Sequence, residues 1–141
     1  MYATHASSCT DPVDPQTPFL FDERGPEALA YTHSTDGQIL PFIEVPCDRV
    51  RSSIRTVIWG GDARQSNFLL GRALGRVMAH EFYHVLAKTS RHGRTGIAKH
   101  SLSAAELISD ELRFAEADKN LLRMRLRAVP TDPNAVPVQL P

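Results

Sequence analysis

The fold is decided by the stretch AHEFYHVLAKTSRHGRTGIAKHS, residues 79–101, which holds four of the chain's six histidines. The stretch begins inside an apolar run with helical periodicity and ends in a segment interrupted by Gly93 and Gly96. This pattern predicts a helix followed by a loop. The function of the protein depends on whether histidines from the helix and from the loop converge on one point.

The helical part carries the motif H-E-x-x-H, from His80 to His84. Histidines at positions i and i+4 lie one turn apart on the same helix face, so both imidazoles can reach one Zn²⁺ ion. Glu81 is displaced around the helix, and its carboxylate can act on a water at the open metal position without being a ligand. The motif therefore predicts a zinc site with Glu81 as general base. The alternative is two surface histidines and a salt-bridging glutamate.

A catalytic zinc site usually has three protein ligands. His92, eight residues after His84, is the preferred third ligand, because the loop that carries it can fold back onto the helix. Glu106 and His100 remain alternatives. Glu106 has a competing role, since Ser103 and Glu106 form the S-x-x-E capping box of a following helix.

Short β-like runs precede the long helix. Glu27–His33 and Gln38–Val45 flank the turn signal Asp36-Gly37 and predict a hairpin. Pro41 cannot donate to a ladder, so the second strand should lie at a sheet edge or contain a bulge. A third short strand is predicted over Arg55–Trp59.

The long helix is predicted from about Ser66 to Lys88, and its many apolar residues predict that it is mostly buried. Gly71 and Gly75 each cost about 1 kcal/mol relative to alanine in a helix, which predicts close backbone packing against a neighbour. A second helix is predicted over about Ala104–Arg127. The exposed stripe of the long helix is predicted at Arg72, Arg76 and Tyr83.

The chain of 141 residues has the size of one domain. We expect an extended, proline-containing N-terminal arm over residues 1–26, a folded domain over 27–128 and a flexible, Pro-rich tail over 129–141. The formal net charge of zero gives no global electrostatic case for binding nucleic acid. The sequence contains no stretch of about 18 apolar residues, so no membrane span is predicted.

The N-terminus has neither a basic start nor an apolar run, so we expect no signal peptide and a cytoplasmic location by default. Export remains the alternative if the natural N-terminus is longer than the sequence as written. Cys9 and Cys47 are too few for a disulfide framework. They are expected to be two free thiols, or a single bridge if the protein is exported.

With its H-E-x-x-H motif the chain resembles the zincin metallopeptidases, which carry that motif on an active-site helix beneath a small sheet. Within that group the metzincins continue H-E-x-x-H-x-x-G-x-x-H and then form a tight turn containing methionine. Residues 66–112 look like a variant of this layout, similar to small, poorly characterised bacterial zincin-like proteins. Seven residues separate His84 from His92, the segment Gly96-Ile97-Ala98 follows, and Ala98 stands where the methionine would be.

The resemblance implies an α+β, zincin-like fold: a small N-terminal β-sheet on the active-site helix, and a C-terminal helix behind it. It implies zinc-dependent hydrolysis of a peptide or protein substrate, with Glu81 catalytic and His80, His84 and His92 as ligands. It also implies that an edge strand, Gln38–Val45, pairs with substrate, whereas the apolar alternation of that strand favours simple packing on the helix.

Two other functions remain open. One is a non-catalytic metal-binding or interaction domain that retains the ligands. This alternative has support in the missing turn methionine and in the absence of any tyrosine after Tyr83, the residue type with which metzincins often stabilise the oxyanion. His100, Lys99 or Arg94 could replace it electrostatically. The other alternative is a regulatory or toxin-like module that acts on one specific partner.

Overall fold

The structure, a computed structural model, describes residues 28–58 and 62–128. These residues form an α+β arrangement of a two-stranded antiparallel sheet and four helices. The predicted N-terminal arm, the predicted tail, Cys9 and Trp59 lie outside the described residues. Cys47, which is described, is disulfide-bonded, so the expectation of two free thiols is wrong. In chain order the elements are β1 (Tyr31–Thr35), β2 (Gln38–Glu44), α1 (Cys47–Arg55), α2 (Ala63–Ala87), α3 (Ala104–Ile108) and α4 (Glu116–Arg127).

The predicted hairpin is confirmed, with β1 and β2 joined at Asp36 and Gly37. Both turn residues have positive φ, 48° and 74°, which suits the type I′ geometry of two-residue hairpins. Between the pairs Ser34↔Ile39 and Thr32↔Ile43 the chain advances two residues on β1 but four on β2. Pro41 lies in this irregular segment, so the bulge predicted for β2 is present.

The prediction of a third strand over Arg55–Trp59 is wrong for its described residues 55–58, because the chain forms helix α1 from Cys47 and turns after Arg55. The sequence does contain a helical signal: Val50 and Ile54 are four residues apart and both are buried. Asp48 in the first turn also favours the helix N-terminus. The β-branched residues after the helix suggested a strand, but Val57 and Ile58 only pack against the core.

Helix α2 is the element on which the others pack. It begins three residues before the predicted start, because Asp62 caps it by accepting a hydrogen bond from the Gln65 backbone N–H at 2.8 Å. One apolar cluster joins α2 to α1 and α3 through Val50, Ile54, Ala73, Val77 and Leu107. A second joins α2 to the loop after it and to α4 through Tyr83, Ala87, Ala98, Phe114, Leu121 and Leu122.

The predicted exposed stripe of α2 is wrong. Arg76 and Tyr83 are buried and Arg72 is half-buried. Arg76 donates hydrogen bonds to the carbonyls of Glu106 and Leu107 at the end of α3, which compensates its burial. The close packing predicted at Gly71 and Gly75 is also wrong, since a Cβ at either position would meet nothing within 4 Å.

The predicted second helix is interrupted. It forms α3 and α4, and the irregular segment 109–115 separates them. Within that segment Phe114 forms a β-bridge with Gly96, and the carbonyl of Arg113 accepts from the Ile97 N–H at 3.0 Å. Backbone pairing with the preceding loop therefore replaces the helix that local propensity favours.

The capping box predicted at the start of α3 is confirmed, with Ser103 and Glu106 bonded reciprocally. Glu106 also accepts from Lys99 Nζ at 2.5 Å. The hydrogen bonds from Lys99 and Ser103 lower the pKa of Glu106 to about 2. Because this pKa is depressed on folding, the stabilisation is present above the unfolded value near 4.5 and is lost as the pH falls toward 2.

We therefore expect Glu106→Gln, which keeps the capping reach but removes the charge, to lower the melting temperature by several degrees at pH 7. The loss corresponds to roughly 0.5–1 kcal/mol. The difference from wild type should shrink as the pH is lowered from 5 to about 2. Thermal melts followed by circular dichroism over this pH range measure it, with Glu111→Gln as the control at an exposed glutamate. A difference that is independent of pH would contradict the assigned ion pair.

Candidate metal centre

The structure brings the two motif histidines and His92 together. The nitrogen atoms that His80, His84 and His92 can offer to a metal all lie within 4.8 Å of one another. The ring of His92 lies 5.3 Å from that of His80 and 4.8 Å from that of His84, measured between centroids. Two candidate ligands thus come from one face of α2 and the third from the loop that follows it.

Backbone carbonyls fix the orientation of both helix histidines. His80 Nδ1 lies 2.7 Å from the Ile97 carbonyl oxygen, and His84 Nδ1 lies 2.7 Å from that of Thr89. A carbonyl only accepts, so each Nδ1 carries a proton, and in the neutral ring Nε2 then has a free lone pair. This is the arrangement by which proteins orient metal-binding imidazoles.

The two free lone pairs face each other. His80 Nε2 and His84 Nε2 are 3.1 Å apart, close to the separation of about 3.3 Å between two nitrogen ligands of a tetrahedral zinc ion. Two neutral imidazoles that are both protonated at Nδ1 cannot form a hydrogen bond between their Nε2 atoms, so the two lone pairs repel each other. A cation between the nitrogens removes this repulsion, so the donor set fits a divalent metal such as zinc.

The surroundings of the site favour uncharged histidines. Desolvation lowers the pKa of His80. Desolvation, together with the neighbouring His84 and His80 rings, lowers the pKa of His92 to about 4. Neutral imidazole is the form that binds a metal, so desolvation and the close approach of the rings favour that form in His80 and His92.

A compact turn below the histidines shapes the loop. Gly96 has a φ of +74°, and a Cβ there would lie 2.3 Å from the Arg113 carbonyl oxygen, so glycine is required. Ile97 and Ala98 are buried next to it. The Gly96-Ile97-Ala98 segment, identified by its resemblance to the methionine turn, thus supplies the carbonyl that holds His80.

Asp118 supports the loop from α4. Its carboxylate approaches Gly93 so closely that a Cβ there would lie 2.7 Å from Oδ2. Oδ1 lies 3.5 Å from the Tyr83 hydroxyl, which donates to it, and Asp118 raises the pKa of Tyr83 in addition to the effect of desolvation. Asp118 therefore packs directly behind the residue that follows His92.

Glu81 is held beside the histidines by a residue that sequence reasoning missed. The Thr32 hydroxyl of β1 donates to Glu81 Oε2 at 2.5 Å and also lies 3.3 Å from the Glu81 carbonyl oxygen. Glu81 is 7% exposed and does not belong to the metal-binding group. Nothing in the spacing of β1 indicated this contact, because it depends on how the hairpin is placed on α2.

An open cavity of about 870 Å³ gives access to these groups. Residues 28–32 line one side of it, and residues 99–102 line another, with His80, Glu81, His84 and His92 between them. The predicted substrate-pairing strand, Gln38–Val45, does not line this cavity; the described chain places β1 and the residues before it there instead. The alternative prediction, that the apolar residues of this strand pack on the helix, holds only in part, because Phe42 of β2 is 63% exposed.

The other candidate residues have different places. Glu106, an alternative third ligand, is bound to Lys99 and Ser103 and lies outside the histidine group. His100, the remaining alternative, stacks edge-on against His92 at 4.7 Å but is not a member of that group either. His100 and Lys99 line the cavity, whereas Arg94 does not.

Comparison with known proteins adds no relative: no family model, no curated protein and no solved structure matches the chain. Among the described helices, none has the length and apolar character needed to cross a membrane. The geometry of the site is therefore the basis on which a function can be assigned.

The choice of third ligand can be tested by removing one ring at a time. We expect the wild-type chain to bind one zinc ion, and His92→Ala to weaken binding about 100-fold or more, because the site loses one of three ligands. His100→Ala is the matched control, since it removes a neighbouring ring without a ligand atom in the group. Competition titration with a chromophoric chelator measures both. Equal affinities of His92→Ala and wild type would exclude His92.

Proposed function

We propose that this protein is a zinc-dependent metallopeptidase of the zincin type. In the proposal His80, His84 and His92 hold the metal and Glu81 is the general base. The observation that carries it is the pair of Nε2 atoms facing each other at 3.1 Å, with the His92 ring beside them and the Glu81 carboxylate in the same cavity. Peptide hydrolysis is the reaction that this combination serves best.

Bound zinc would lower the pKa of a coordinated water and polarise the carbonyl of the bond to be cleaved. Glu81 would take the proton from the attacking water as the new C–O bond forms. It would then pass that proton to the nitrogen as the C–N bond breaks. The Thr32 hydroxyl occupies Oε2 of the carboxylate, which leaves Oε1 for the proton.

The size of the cavity favours an extended peptide segment over a folded protein as the substrate. Its volume of about 870 Å³ is in the range of small-ligand sites. An extended segment in it would lie between residues 28–32 on one side and residues 99–102 on the other. We propose that main-chain contacts with residues 28–32 hold the substrate, in place of the strand predicted from the resemblance.

The oxyanion must be stabilised without the tyrosine that metzincins often use. His100 and Lys99 both line the cavity, but Lys99 is already paired with Glu106 at 2.5 Å. His100 is thus the better placed of the two. A protein with the same ligands but without activity is the second candidate function, and it is favoured by Ala98 at the position of the turn methionine and by the missing tyrosine.

Glu81→Gln separates these two functions. The change keeps the shape of the side chain and leaves the three histidines intact, so we expect zinc to bind with little change. Hydrolysis should fall about 10³-fold, because the amide cannot accept the proton. Cleavage of a fluorogenic peptide library by the zinc-loaded protein measures the rate, with Glu111→Gln as control. Activity that survives in Glu81→Gln would contradict the mechanism, and a zinc-loaded wild type without activity would favour the non-catalytic alternative.

Thr32→Val tests how Glu81 is positioned. Valine preserves the branched shape but removes the hydroxyl that donates to Oε2, so the carboxylate loses its fixed orientation. We expect kcat to fall about tenfold with KM and zinc affinity nearly unchanged, and Thr32→Ser to restore most of the rate. Steady-state kinetics on the best library peptide gives both constants. A rise in KM alone would assign Thr32 to substrate binding instead.

A further inference from the structure

Asp118, in the first turn of α4, is a buried carboxylate whose charge has little compensation. It is 7% exposed, and no hydrogen-bond donor among the described residues reaches its Oδ2. Oδ1 accepts from the Tyr83 hydroxyl at 3.5 Å, which is the outer limit of a hydrogen bond. Burying a carboxylate costs free energy unless other groups pair with it. The contacts of Asp118 in the described chain do not meet this condition.

The groups that usually pair with a carboxylate at a helix start are directed elsewhere. Such a carboxylate can accept from the free backbone N–H groups of the first turn, but in the described chain Asp118 accepts from none of them. The nearby cations of α4 pair with Glu116 instead, Lys119 at 2.6 Å and Arg123 at 3.7 Å. Among the residues that the structure describes, no basic side chain forms an ion pair with Asp118.

The Asp118 carboxylate lies behind two of the three candidate metal ligands. It packs against Gly93, since a Cβ on Gly93 would lie 2.7 Å from Oδ2, and Gly93 directly follows His92. The Tyr83 ring, whose hydroxyl donates to Oδ1, contacts the His84 ring edge-on at 5.6 Å between centroids. A single residue therefore separates the carboxylate from His92 on one path and from His84 on the other.

We propose that Asp118 is the buried counter-charge of the metal centre, where it compensates part of the charge of a divalent cation held by His80, His84 and His92. This inference rests on the metal site of the proposed function but not on peptide hydrolysis. Three neutral imidazoles bring no negative charge to the ion, and Glu81 brings one. A second carboxylate in the buried surroundings stabilises the bound cation, because charges interact more strongly there than in water.

The compensation acts in both directions, so it couples metal binding to the stability of the fold. The cation offsets the cost of burying Asp118, and the carboxylate in turn raises the affinity for the cation. In the metal-free chain the same carboxylate lowers stability, because its charge stays uncompensated. A residue that only packs against Gly93 would not have these opposite effects.

Asp118→Asn tests the counter-charge, because it keeps the shape of the side chain and removes its charge. For the full chain without metal, we expect circular dichroism melts to show a melting temperature about 3 °C or more above that of wild type. Competition titration with a chromophoric chelator should show zinc affinity lowered about tenfold to 100-fold. The rise in melting temperature on saturation with zinc should be smaller than in wild type.

Two further variants separate the charge from its surroundings. Glu116→Gln is the matched control, since it removes one negative charge from the same turn of α4 at an exposed position. Its zinc affinity should equal that of wild type, and its metal-free melting temperature should not rise, because the ion pair with Lys119 is lost. Tyr83→Phe removes the donor to Oδ1 but keeps the carboxylate. It should melt below wild type without metal and bind zinc at least as tightly.

A metal-free Asp118→Asn chain that melts below wild type, or that does not fold, would overturn the proposal and assign Asp118 to packing alone. Equal zinc affinities of Asp118→Asn and wild type, or an equal loss in Glu116→Gln, would also overturn it while leaving the three-histidine site intact. A wild type that binds no zinc would instead contradict the proposed function, and the counter-charge with it.

Discussion

The site depends on two hydrogen bonds from imidazole N–H groups to backbone carbonyls. Ile97 and Thr89 accept from Nδ1 of His80 and His84, and this leaves both Nε2 lone pairs aimed at one point. Both carbonyls belong to the chain that follows α2, so the path of this loop decides whether the motif can bind a metal. Gly96 permits the path, and its bridge with Phe114 and the packing of Asp118 behind Gly93 hold it in place.

Helix α2 combines two surfaces that reverse the usual distribution of residues. Its inner side buries Arg76, Glu81 and His84, and each has a polar partner from another part of the chain. Its outer side exposes large apolar residues. The buried polar groups serve the proposed chemistry and hold α3 against α2.

The sequence was sufficient where short-range chemistry decides the outcome. The hairpin follows from Asp36-Gly37, and the capping box from Ser103 and Glu106. Ligand type and the reach of the loop favoured His92 over Glu106 and His100 as the residue that joins the helix pair, and the structure brings His92 there. The sequence was insufficient where contacts between distant residues determine the structure. Thr32 contacts Glu81 from 49 positions away, and Gly96 pairs with Phe114, which interrupts a predicted helix. Periodicity also failed on α2, because a helix with apolar residues on every side does not reveal which side is covered.

X-ray absorption at the zinc edge, on the full chain loaded with one equivalent of zinc, tests the three-histidine site most directly. Coordination by His80, His84 and His92 predicts three imidazole nitrogens at about 2.0–2.1 Å and one further light-atom ligand. Zinc bound through sulfur, or through fewer than three imidazoles, would contradict the central claim that His80, His84 and His92 form one metal site.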